Sequence, residues 1–88
     1  MLFMTILTYE PGARDQIIKR RAENGSMSQG IKIIGEWSSI ASGRVFRLAE
    51  TDDIMAFHAA AYAWTDLGKL EIYPVMDVEE IMKAFKSK

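Results

Sequence analysis

The residues able to do chemistry near neutral pH are few. His58 is the single histidine, and its side-chain type alone titrates near neutrality, so it is the first candidate for moving a proton. It stands one turn after Ile54 and one before Tyr62, beside an apolar helix face. The plainer alternative, a half-exposed histidine at the rim of the core, outweighs that reading, because one histidine carries little pattern. Glu50 is the second candidate, closing a strand on the face that also holds Trp37, Phe46 and Leu48. A carboxylate among aromatic groups can act as a base. A salt bridge, or a role at the helix cap beside Thr51, is the stronger alternative. Glu36 and Arg47 share the other face and read as an ion pair at an interface. Trp37, Trp64, Tyr9, Tyr62 and Tyr73 join apolar rings to polar tips, which suits gripping a flat organic molecule. Trp37, Phe46, Leu48, Tyr62 and Trp64 form the candidate ligand-binding set.

Composition removes several classes of function. The 88 residues contain no cysteine, which excludes disulfides, thiolate nucleophiles and cysteine-ligated metal. One histidine cannot make a multi-histidine metal site, so no metal site is expected. Eleven basic and twelve acidic residues give a net charge of −1, with no electrostatic case for nucleic acid. The one basic cluster, Lys19-Arg20-Arg21, reads as a solvated helix face. No apolar run approaches a membrane span, and MLFMTILTY lacks a basic leader and a cleavage site. A cytoplasmic protein is expected.

The elements that must position these residues follow from pattern. Leu2 to Tyr9 is β-favouring at nearly every position, as in a strand buried on both faces. Ala13 to Asn24 reads as a helix with a narrow apolar stripe of Ala13, Ile17, Ile18 and Ala22, its Arg14, Lys19, Arg20 and Glu23 facing water. Gly25 to Gly30 is a loop whose Met27 is expected to plug the core. Ile31 to Ile40 and Arg44 to Glu50 form a hairpin about a two-residue Ser42-Gly43 turn. That turn sets Trp37 opposite Leu48, Ser39 opposite Phe46 and Ile40 opposite Val45. One hairpin face then holds Ile31, Ile33, Trp37, Phe46, Leu48 and Glu50. The other holds Lys32, Ile34, Glu36, Ile40, Val45, Arg47 and Ala49. Thr51-Asp52-Asp53 offers an N-cap for a helix from Asp53 to Asp66, with Ile54, Phe57, Ala61 and Trp64 on its apolar face. Leu70 to Met76 is a strand that Pro74 assigns to a sheet edge. Asp77, with Glu80 three residues on, resembles a capping box before a short helix whose Val78, Ile81, Met82 and Phe85 form an apolar side.

The order β-α-β-β-α-β-α predicts an α+β domain over residues 1–88. Its first six elements form a ferredoxin-like unit with a four-stranded antiparallel sheet and helices on one face, and an extra helix follows. Apolar groups on both hairpin faces require cover on both sides of the sheet. A chain this short has little left to provide the second cover, so self-association through the sheet face is expected.

Residue matches along most of the chain point to a family. They are MLFM at the start, Pro11-Gly12, Gly30-Ile31, Trp37, Gly43-Arg44-Val45-Phe46, the run Leu48 to Asp53, Trp64, and the strand Glu71 to Val75. The chain resembles the DUF3303 family of uncharacterised proteins, placed in the dimeric α/β-barrel superfamily. That resemblance implies two ferredoxin-like sheets packed face to face in a homodimer. Superfamily relatives include cofactor-independent monooxygenases, isomerases, haem-degrading enzymes and regulatory domains, and fold alone does not choose among them. No catalytic residue carries over. The expected protein is a homodimer that binds a small organic molecule between sheet and helices. The alternatives are a cofactor-independent enzyme using His58 and Glu50, and a non-catalytic interaction or regulatory module. No cofactor is implied. His58 as a haem ligand has no supporting pattern.

Overall fold

The computed structural model describes residues 1–24 and 30–86. Met27 and all but Gly30 of the loop assigned to Gly25 to Gly30 lie outside the described residues, as do 87–88. The elements are β1 (Leu2–Thr8), a 3-10 turn (Pro11–Ala13), α1 (Arg14–Asn24), β2 (Lys32–Ser39) and β3 (Arg44–Glu50), then α2 (Ile54–Tyr62), β4 (Lys69–Val75) and α3 (Val78–Lys86). All pairings are antiparallel and the strands lie in the order β2-β3-β1-β4. This is the ferredoxin-like arrangement expected from the pattern, with Pro74 on an edge strand.

Alternation in β1 separates the two faces of the sheet. Phe3, Thr5 and Leu7 are buried, while Leu2, Met4, Ile6 and Thr8 are only half-buried. The first set lies under α1 and α2, where two small cores form. Phe3, Ile31, Ala49 and Phe57 make one, with the Phe3 and Phe57 rings stacked at 4.6 Å. Leu7, Tyr9, Ile17 and Leu67 make the other, with Trp64 and Val45 packed against it. Asp53 caps α2 by accepting from the Ala56 amide at 2.9 Å. Thr51, buried beside it, donates from Oγ1 to the Gly30 carbonyl at 2.7 Å and accepts from the Asp53 amide at 3.0 Å.

The hairpin differs from the expected register. The turn takes four residues, 40–43, so Ser39 pairs with Arg44 and Trp37 with Phe46, not with Leu48. Gly43 has φ +66°, and a Cβ there would meet the Tyr9 carbonyl oxygen at 2.6 Å. The close approach is used: the Tyr9 amide donates to the Gly43 carbonyl at 2.8 Å. A bulge between Ile33 and Gly35 then reverses the alternation within β2. Ile31 and Ile33 therefore join Ala49 on the covered face, whereas Trp37 joins Phe46 and Leu48 on the bare one. The Trp37 indole lies over Gly35, where a Cβ would come within 2.3 Å of the ring.

The helices depart from expectation in length and facing. α2 ends at Tyr62, and residues 63–67 continue in tighter turns, with Trp64, Thr65 and Leu67 amides donating three residues back. Ile54 is 50% exposed, so only Phe57, Ala61 and Trp64 of its proposed face turn inward. In α1, Ile17 is buried but Ile18 and Ala22 are exposed, and Arg20 is half-buried instead of solvated. Asp77 accepts from the Glu79 amide at 2.7 Å, two residues on instead of the three of a capping box, and Glu80 Oε1 lies 3.8 Å from Lys83 Nζ. None of the residues of α3 is buried. The Cα radius of gyration is 14.8 Å, against about 12 Å for a compact chain of this length. The excess reflects an elongated body, 51 Å in its longest extent. Among the described residues, no helix is long and apolar enough to cross a membrane.

Candidate functional site

Cross-strand register arranges the covered face in three rows. The outer rows are apolar or nearly so: Ile33, Ala49, Phe3 and Pro74 at one end, and Ser38, Val45, Leu7 and Leu70 at the other. The middle row runs Glu36, Arg47, Thr5, Ile72. Polar side chains thus sit between the two cores, and there the helices stand off the sheet. The resulting cavity has a volume of about 300 Å³. Thr5, Leu7, Ile33 and Ala49 line it from the sheet, and Ile17, Phe57, Ala60 and Trp64 from the helical side.

Its polar edge is built by α1 reaching over the sheet. Ile17, Arg20 and Arg21 follow i, i+3, i+4 spacing, so the buried isoleucine and both guanidiniums share one helix face. Arg21 Nε donates to Glu36 Oε1 at 3.0 Å. Arg47 donates to the other oxygen, Oε2, from Nε at 2.7 Å and also from Nη2. Burial alone pushes the Glu36 carboxyl up, but the hydrogen bonds and charges of Arg47 and then Arg21 outweigh it. The net effect holds Glu36 below the ordinary value of 4.5. Arg20 is held differently. Its Nη1 donates to the Ala63 carbonyl at 2.6 Å and to Asp66 Oδ1 at 2.7 Å, and its Nη2 donates to Asp66 Oδ2 at 2.9 Å. That fork, the larger cause, keeps Asp66 below the ordinary carboxylate value. The Trp64 ring carries both arginines, with Arg20 at 5.6 Å and Arg47 at 6.0 Å from its centroid.

Of the candidate catalytic and ligand-binding residues named from sequence, Trp64 alone lines this cavity; Glu36 and Arg47, which the sequence offered only as an ion pair, line it too. Trp37 is 55% exposed and shares the bare face of the sheet with Phe46 and Leu48. Tyr62 is 72% exposed at the end of α2. His58 is exposed on α2 and lies outside the cavity, and exposed Glu50 pairs in register with Lys32 on the bare face. The structure does not bring His58 and Glu50 together at this cavity. The Glu36–Arg47 pair forms, but under α1 on the covered face instead of between two sheets.

Arg20, Arg21 and Thr5 were missed as site residues. The available signal was the stripe of α1: an apolar face only one isoleucine deep, continued by arginines at helical spacing. Among the described residues, no group of three or more His, Asp or Glu side chains is placed to hold a metal ion.

Comparison with known proteins adds a family and no activity. No curated protein matches the chain. A family model described as a domain of unknown function (DUF3303) matches residues 1–88, and the chain belongs to that family.

Proposed function

We propose that this is a homodimeric binding protein for a small organic molecule, held between sheet and helices. The carrying observation is the cavity of about 300 Å³, at the lower end of ligand pockets, with apolar walls and polar groups converging at one edge. A stably folded small domain gains nothing from such a void unless something fills it.

The bare face supports the homodimer. Its middle rows are Trp37, Phe46, Ile6, Glu71 and Gly35, Leu48, Met4, Tyr73. Its end rows are Ser39, Arg44, Thr8, Lys69 and Lys32, Glu50, Leu2, Val75. An apolar centre within a largely polar rim is how protein interfaces are built. Four strands about 4.8 Å apart and seven residues long at about 3.4 Å each span about 450 Å². A stable interface takes about 800 Å² from each partner. The exposed apolar side of α3, with Val78 67%, Met82 45% and Phe85 66% exposed, is available for the remainder. The partner that fits this face is a second copy of the chain, which presents the same apolar centre and the same α3. The enzymatic alternative through His58 and Glu50 draws no support from their positions.

Native mass spectrometry of freshly purified protein tests both parts. The expected species is a dimer of 10.0 kDa chains carrying a non-covalent small-molecule adduct. A monomer at micromolar concentration would end the dimer reading. A dimer that acquires no adduct from a cell extract of metabolites would end the ligand reading.

A further inference from the structure

The polar edge of the cavity defines the ligand's charge, given the small-molecule reading above. Two guanidiniums, those of Arg21 and Arg47, converge on one carboxylate, that of Glu36, while Asp66 neutralises Arg20 outside. One positive charge is left over at the rim of an otherwise apolar space. The donors are left over too. Arg21 uses only Nε on Glu36, and Arg47 only Nε and Nη2, so both Nη groups of Arg21 and Nη1 of Arg47 donate to no described residue. Beside Arg47 in the same row, Thr5 is 8% exposed and lines the cavity, and its hydroxyl bonds no described residue. The guanidinium donors are open to solvent at the rim, the Arg21 side chain being 42% and that of Arg47 21% exposed, so an anion can reach them without displacing a protein partner.

We propose that the cavity takes an organic monoanion, a carboxylate on an aromatic or aliphatic body, with the carboxylate received by Arg21, Arg47 and Thr5. Planar guanidiniums suit that group because they meet a carboxylate with paired donors. A 150 Å³ apolar cavity holds benzene, so this volume suits a body of about a dozen heavy atoms. Trp64 lines the cavity as well and adds an aromatic side chain to its wall.

Calorimetric titration of the full chain with three matched probes tests this: 2-naphthoate, neutral 2-naphthamide and cationic 2-naphthylmethylammonium. Naphthoate is expected to bind at least tenfold more tightly than the amide, with the cation weakest. Arg21→Gln leaves the Arg47–Glu36 pair in place. It is expected to lose at least tenfold for naphthoate and distinctly less for the amide, so that the preference for the acid collapses, while Arg21→Lys, which keeps the charge, retains part of that preference. If the amide or the cation binds as well as naphthoate, or if Arg21→Gln weakens acid and amide alike, the anion assignment is overturned and the small-molecule reading stands. If none of the three probes binds, both fall.

Discussion

The two faces of the sheet reverse one another. Under the helices, the middle row is polar (Glu36, Arg47, Thr5) and the outer rows apolar; on the bare side, the middle rows are largely apolar and the ends polar. A protein built only for its own stability would bury the apolar rows and leave the charges outside. Here a charged row is enclosed and an apolar field is left open. Each face is therefore incomplete as it stands, in a different sense. On the proposals above, the covered face takes a small organic anion and the bare face takes a second copy of the chain.

Substitutions on each side should move different measurements. The largest effect is expected inside. Phe57→Ala removes the ring stacked on Phe3 and should cost about 3–5 kcal/mol in urea unfolding, with the midpoint falling accordingly. A cost under about 1 kcal/mol would show that the helices are not pinned there. On the bare face, Leu48→Glu should weaken self-association at least a hundredfold in sedimentation while far-ultraviolet circular dichroism stays native. An unchanged dimer would move the interface elsewhere.

A smaller effect separates the enclosed charges from exposed ones. Folding lowers the Glu36 value, so as pH falls the unfolded chain takes up this proton first. The stability it contributes is complete above 4.5, the ordinary glutamate value, and is lost as pH falls through the lower folded value. Glu36→Gln should flatten that acid limb of the stability curve, and added salt should not. The Asp66 contribution has the same sign, but its side chain is 61% exposed, so high salt should erase it. An acid limb identical in Glu36→Gln and wild type would remove Glu36 from the account. The smallest change is expected at the N-terminus of α2. Asp53→Ala loses the cap to Ala56 and should cost about 1 kcal/mol.

Much of the fold could be read along the chain because its signals are local. The strand character of β1, the Pro74 edge and a helix cap within Thr51 to Asp53 each involve residues within a few positions of one another, whereas the alternation of β1 and the choice of Asp53 as the cap came only with the structure. The hairpin register could not be read, because the wide turn and the bulge at Ile33/Gly35 have no sharp residue signature, and one extra residue changes face. That bulge is why Ile31 and Ile33 separated from Trp37. The site was largely missed for a related reason. Arg20 and Arg21 look like solvated charges until α1 is laid across Glu36 and Arg47, 15 to 27 positions away.

The sequence by itself determined the element order, the ferredoxin-like topology, the family and the surplus of apolar strand surface, since periodicity and turn chemistry are properties of short segments. Only the tertiary structure decided which face each strand residue took, which arginines turned inward, and where a cavity opened. Those outcomes depend on the register between strands and on how a helix crosses a sheet, and both are set by packing among residues far apart in the chain.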